Sequence, residues 1–214
     1  MVNSLFTKQD ENLVSMENVS EKIKIYPSYY LQKLPGTSPQ LFLREGVAEK
    51  IIRLAESLSG QLSLVLIDGW RSYETQRYLY DRAVACFHKL GHTEQQIKEE
   101  MPGFVAFPSR DPACPAPHYS GSAIDLTLAK GQGWLEMGTD FDDFTDKAGL
   151  NYYEGKEGLS GSALRARNNR RKLRRLMESA GFVPNPTEWW HYSYGDRTWA
   201  GANHTVPLYG GTEK

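Results

Sequence analysis

The chain reads as a mixed α and β fold, and three patterns predict it. Over Glu45 to Leu58, apolar residues recur at helical spacing: Val47, Ile51, Leu54, Ala55 and Leu58 make one stripe, and Gly60 supplies a stop. Leu62 to Ile67 is a mostly apolar run of strand length, as a central strand requires. In Ala123 to Leu128, Ile124, Leu126 and Leu128 alternate with Asp125 and Thr127, the period-two pattern of a strand with one face in a core.

The remaining elements follow in order. Residues 1 to 24 are polar and aperiodic and read as an N-terminal arm ahead of one domain over residues 25 to 214. Between Ile25 and Leu43, Pro27, Pro35, Gly36 and Pro39 interrupt the chain, which predicts irregular structure with short strands. After the Leu62 strand comes Asp68-Gly69-Trp70-Arg71-Ser72, then a helix over Tyr73 to Leu90 and a short charged one over Thr93 to Met101. Pro108, Pro112, Pro115 and Pro117 stiffen the loop leading to His118. Beyond the Asp125 strand, glycines at 131 and 133 predict a hairpin, and a loop rich in carboxylates follows. Ser162 to Ala180 is a helix with Leu164, Leu173, Leu176, Met177 and Ala180 on its apolar side.

Composition narrows the function. A chain of 214 residues with 40% hydrophobic content is long enough for one sizeable core. Its 25 basic and 26 acidic residues leave a formal charge of −1, so no global field draws it to nucleic acid or membrane, and a small neutral or zwitterionic substrate suits it best. The basic cluster from Arg165 to Arg175 therefore reads as a solvated helix face, some of it paired with the acidic loop. No apolar run approaches the roughly 18 residues of a membrane helix. The first ten residues lack the features of a signal peptide, which predicts a cytoplasmic location. Cys86 and Cys114 make no disulfide framework and are expected to be reduced.

The chemistry concentrates in two stretches. Pro117-His118-Tyr119-Ser120-Gly121-Ser122-Ala123-Ile124-Asp125 puts an imidazole and a carboxylate around a glycine turn, and Glu188-Trp189-Trp190-His191 adds a carboxylate and a second imidazole. Two His and one Asp make an open zinc site, in which three protein ligands leave a position for water. Glu188 then remains as the base. Residues three apart on an extended strand face opposite ways, so Glu188 belongs in the turn that Pro184-Asn185-Pro186 predicts, with His191 already on the strand. Cys114 competes as a fourth ligand, and such a closed site would be structural. Arg71 has two readings, a guanidinium that stabilises an oxyanion or a surface partner of Asp68. Asp142, in the acidic loop, either holds a substrate ammonium or sits in a solvated turn. His88 and His92 lie in charged segments and read as solvated.

Taken together, Asp68-Gly69-Trp70-Arg71, His118 to Thr127, Met137-Gly138-Thr139-Asp140-Phe141-Asp142 and Glu188-Trp189-Trp190-His191 resemble the VanX-type D-alanyl-D-alanine dipeptidases from about Ile25 to Tyr194. The resemblance implies an α+β fold, a central antiparallel sheet flanked by helices, of the Hedgehog and D,D-peptidase type. It also implies one zinc ion per chain on His118, Asp125 and His191, Glu188 as general acid/base, Arg71 as transition-state stabiliser, and a small dipeptide as substrate. Two positions depart from the family pattern: Ala116 stands where a serine is usual two residues before the first His, and Trp70 where Tyr is usual. A lost hydroxyl near the metal would remove a hydrogen bond worth about 1 kcal/mol, which bears on substrate range. Two other functions share these motifs. One is a zinc carboxypeptidase or endopeptidase acting on longer cell-wall peptides; the other is a non-catalytic zinc-organised binding module, which has no need of Glu188.

Overall fold

The computed structural model describes residues 6–101 and 105–214. Among them, strands β1 (Leu13–Ser15), β2 (Ile23–Ile25), β3 (Phe42–Arg44), β4 (Leu62–Asp68), β5 (Ala123–Lys130), β6 (Gly133–Trp134), β7 (Val183–Pro184) and β8 (His191–Ser193) form two sheets. The helices are α1 (Ser28–Leu31), α2 (Glu45–Ser57), α3 (Tyr73–Lys89), α4 (Glu94–Glu100), α5 (Gly161–Ser179) and α6 (Arg197–Ala202). The main sheet runs β2-β4-β5-β8-β7, with β6 paired to the end of β5, and it is antiparallel except for the β2–β4 pair. No helix of the described residues is long and apolar enough to cross a membrane.

The α+β architecture follows from the alternation in the two central strands. Leu64 and Leu66 of β4 and Ile124, Leu126 and Leu128 of β5 join one core with Val47, Ile51, Leu54 and Ala55 of α2 and Leu173 and Met177 of α5. Each Val, Leu, Ile or Met side chain among them contributes about 1.5–3 kcal/mol by leaving water. Asp125 and Thr127 fall on the opposite face. There α3 and α4 build a second apolar cluster with Tyr29, Leu79, Ile97 and Met101, and the cavity described below opens beside it.

The N-terminal segment corrects the expectation of a polar arm. β1 pairs with β3, β2 adds a strand to the main sheet, and Met16 is fully buried. Strands of three residues are too short to display a period, and their hydrogen bonds are made by the backbone, which composition does not reveal. The reading of the Arg165 to Arg175 cluster is corrected at one residue. Arg170 is buried, and its guanidinium donates to the backbone carbonyls of Met137, Lys147 and Gly149, tying α5 to the loop that carries Asp142. Arg171 pairs with Glu154 at 2.6 Å, and Arg174 with Glu178 at 2.7 Å.

A second buried arginine, Arg44, joins both ends of the described chain to the turn that carries His118. It donates to the carbonyls of Ser120 at 2.8 Å and Gly210 at 3.2 Å, and also to those of Gln9 and Glu11. Tyr209, fully buried, donates to Glu11 Oε2 at 2.7 Å beside it. Removing the guanidinium leaves several buried carbonyls without donors, each a desolvation penalty. Arg44→Ala is therefore expected to lose on the order of 3 kcal/mol of stability. Urea unfolding followed by tryptophan fluorescence measures it, and an unchanged midpoint would contradict the assignment.

Candidate active site

Strand register assembles the centre. Asp125 lies opposite His191 across β5 and β8, so both side chains emerge on the same face. On the other side, the pairing of β4 with β5 shifts between Leu66 and Asp68, so that Leu66 faces Leu126 but Asp68 faces Asp125. This β-bulge turns Asp68 away from the core face of Leu64 and Leu66 and onto the face of Asp125.

His118 arrives from a 3₁₀ turn, Pro117–Ser120, which ends at Gly121 with φ +74. The left-handed backbone favours glycine there, and a Cβ would also displace the Leu13 side chain. The imidazole is fixed by Nδ1, which lies 2.8 Å from the Gly69 carbonyl oxygen. A carbonyl only accepts, so Nδ1 carries the proton and Nε2 presents its lone pair to the centre. His118 Nε2 is 3.1 Å from His191 Nδ1 and 3.4 Å from Asp125 Oδ2, and His191 Nδ1 is 3.0 Å from Asp125 Oδ1. All three residues are buried, and their donor atoms lie within 4.8 Å of one another. Two imidazole nitrogens and a carboxylate oxygen, oriented by a carbonyl outside the group, suit a zinc ion. Burial works to raise the Asp125 pKa, but the two imidazoles outweigh it and hold this carboxyl well below the usual range.

Glu188 sits in the turn between β7 and β8, as the flanking prolines predict, with Oε2 3.9 Å from His191 Nδ1. Burial pushes its pKa up to about 7. Arg71 is the partner of Asp68, but inside the cavity rather than at the surface. It pairs with Asp68 at 2.8 Å, yet it is buried and reaches within 3.7 Å of Asp125. Burial acts against its charge, and Asp68 leads the groups that more than restore it. Asp142 is also brought into the site, with its carboxyl pushed up to about 6 by burial. Its Oδ1 accepts from Tyr29 Oη at 2.9 Å, while Oδ2 is buried with no hydrogen-bond partner and lies 4.0 Å from Arg82. Its φ of 61 is a left-handed backbone angle that costs energy and that Asp tolerates better than most residues.

All six of these residues line or adjoin one cavity of about 740 Å³. His92, read as solvated, lines it too, 3.3 Å from Glu100. Cys114 is exposed, contacts Arg197 and takes no part in the donor group. Ala116 is buried and does not line the cavity, whereas its neighbour Pro117 does.

Three residues were not legible as functional. Gln76 accepts from Arg71 Nη1 at 2.9 Å and is held by its own bond to the Ala106 carbonyl at 2.7 Å. Asn185 donates to Glu188 Oε2 at 2.7 Å. Tyr29 supports Asp142, and its ring lies 5.0 Å from the Arg71 guanidinium. Asn185 alone left a signal, as a polar residue between two prolines three positions before Glu188.

A donor group of two His and one Asp, faced by a half-buried carboxylate outside it, defines a metal-dependent hydrolase. Residues 39–208 match the D-ala-D-ala dipeptidase family, and the chain belongs to that family of metallopeptidases. A D-alanyl-D-alanine dipeptidase from Synechocystis is 30% identical over 77% of this chain and 73% of that protein. One from Enterococcus faecium is 31% identical over 72% of this chain and 77% of that protein. A solved structure of VanYB in complex with D-alanine-D-alanine is similar over 95% of this chain and 94% of that chain, at 18% identity and a TM-score of 0.47.

The Gly69 contact has a spectroscopic consequence: two-bond ¹H–¹⁵N correlation spectra should show His118 as the Nδ1–H tautomer. An Nε2–H pattern would contradict this orientation.

Proposed function

We propose that the protein is a zinc dipeptidase that hydrolyses D-alanyl-D-alanine and related short D,D-dipeptides to free D-amino acids. One zinc ion per chain would be held by His118, Asp125 and His191. The observation that carries this reading is the position of Glu188, a half-buried carboxylate outside the donor group that faces it in the cavity shared with Arg71 and Asp142. When bound, zinc supplies Lewis-acid polarisation of the scissile carbonyl and acidifies water.

The chain's own residues supply the rest. Glu188, with a pKa near neutrality, accepts a proton from the attacking water and returns it to the leaving amine. Asn185 fixes the Oε2 of that carboxylate. Arg71, clamped between Asp68 and Gln76, presents its guanidinium to the negative charge that develops on the carbonyl oxygen. Asp142 offers its Oδ2, which has no hydrogen-bond partner, to the substrate ammonium, a bond that offsets the cost of burying that oxygen. A requirement for a free ammonium favours a dipeptide over the longer peptides of a carboxypeptidase. The same reading places the reaction in the cytoplasm with neither nucleic acid nor membrane as partner, in keeping with the balanced charge.

The purified protein should release D-alanine from D-Ala-D-Ala, stop on chelation, recover with zinc and leave N-acetyl-D-Ala-D-Ala intact. Cleavage of the acetylated compound would support the carboxypeptidase reading instead. Glu188→Gln is expected to retain one zinc per chain by elemental analysis and to lose about 10² to 10⁴ in kcat; full activity would sink the mechanism. Only an ionised carboxylate attracts an ammonium, so KM should climb as pH falls through about 6, the pKa of Asp142. In Asp142→Asn, KM should be raised about tenfold, the effect of roughly 1.4 kcal/mol, and that climb should disappear. A wild-type KM that stays flat as pH falls through about 6 would remove Asp142 from the role.

A further inference from the structure

The cavity is larger than two alanine side chains require. At about 740 Å³ it lies in the range of roughly 300–1,000 Å³ typical of pockets for drug-sized ligands, whereas D-Ala-D-Ala brings only two methyl groups. Its lining holds the donor group, Arg71 and Asp142, and also Arg82 and the His92–Glu100 pair. A stripe of α3 shares that lining: Gln76, Leu79, Ala83 and Phe87 lie at helical spacing on one face, and Leu90 follows at the C-cap. From Gln76, which clamps Arg71, to Phe87 the stripe extends about 16 Å at 1.5 Å per residue. Ala83 is the smallest of its side chains, and Val105 adds an apolar group to the same cavity.

The orientation of a bound dipeptide follows from Asp142. Asp142 lines the same cavity as Leu79, Ala83 and Phe87, so an ammonium held on its carboxylate puts the N-terminal residue of the substrate in the space shared with that helix. We propose that the Leu79–Ala83–Phe87 face of α3 is an apolar subsite for a large hydrophobic side chain on the N-terminal residue. It selects bulky dipeptides such as D-Leu-D-Ala and D-Phe-D-Ala in addition to D-Ala-D-Ala. The inference rests on the dipeptidase reading and deepens it by naming the substrate class.

The test compares kcat/KM for D-Ala-D-Ala, D-Phe-D-Ala and D-Ala-D-Phe on the zinc-loaded full chain. The expected result is that D-Phe-D-Ala is hydrolysed at no less than one tenth of the D-Ala-D-Ala value and faster than D-Ala-D-Phe. Ala83→Phe, which fills the subsite, and Phe87→Ala, which removes its wall, should each lower the ratio of D-Phe-D-Ala to D-Ala-D-Ala at least tenfold. Zinc content and circular dichroism report folding, and Phe87→Ala keeps the test valid if Ala83→Phe does not fold. A D-Phe-D-Ala value below one tenth, a preference for D-Ala-D-Phe, or a ratio that neither variant moves overturns the subsite. Hydrolysis of none of the three overturns the dipeptidase reading itself.

Discussion

The site depends on the register of three adjacent strands. Pairing of Asp125 with His191 places one carboxylate and one imidazole side by side, and the bulge before Asp68 brings a second carboxylate onto the same face. A slip of one residue in β5 would turn Asp125 into the core and Ile124 into the cavity. The alternation of leucines with Asp125 and Thr127 holds that register, because the core accepts only one of the two settings. Hydrophobic burial thus fixes where the polar chemistry stands.

Around this frame, backbone carbonyls do much of the positioning. Gly69 sets the tautomer of His118, Ala106 holds Gln76 and through it Arg71, and the carbonyls bound by Arg170 hold the loop of Asp142. A carbonyl on ordered backbone has little freedom to move, so each catalytic candidate stands on a rigid support. The pKa values show the price of that arrangement: burial raises both Glu188 and Asp142, and each keeps one bond, from Asn185 or Tyr29, that limits its movement.

The sequence made the centre of the molecule legible and left its periphery obscure. His118, Asp125, Glu188 and His191 stood out because each lies beside a strand pattern or turn signal that restricts where it can point. The long helices were equally clear, with ends within one or two residues of those observed. β1 and β2 left no trace, since three backbone-paired residues carry no period. Arg44 and Arg170 were hidden for a different reason: their partners are carbonyls, and nothing in a residue's name reports which carbonyls lack a donor. Gln76 and Tyr29 touch the site only through tertiary contacts formed by distant segments, and single-sequence spacing does not encode such contacts.

The clasp around Arg44 bears on how the molecule comes into being on the ribosome. Its acceptors span Gln9 to Gly210, and the donor group closes only when His191 has been added to β8. Domains generally begin to fold from their N-terminal parts during synthesis, but contacts this distant in sequence must wait for the late segments. The nascent chain can form α2 and the first hairpins while the metal-binding group remains unassembled. The group of His118, Asp125 and His191 is therefore completed last, once β8 has paired with β5.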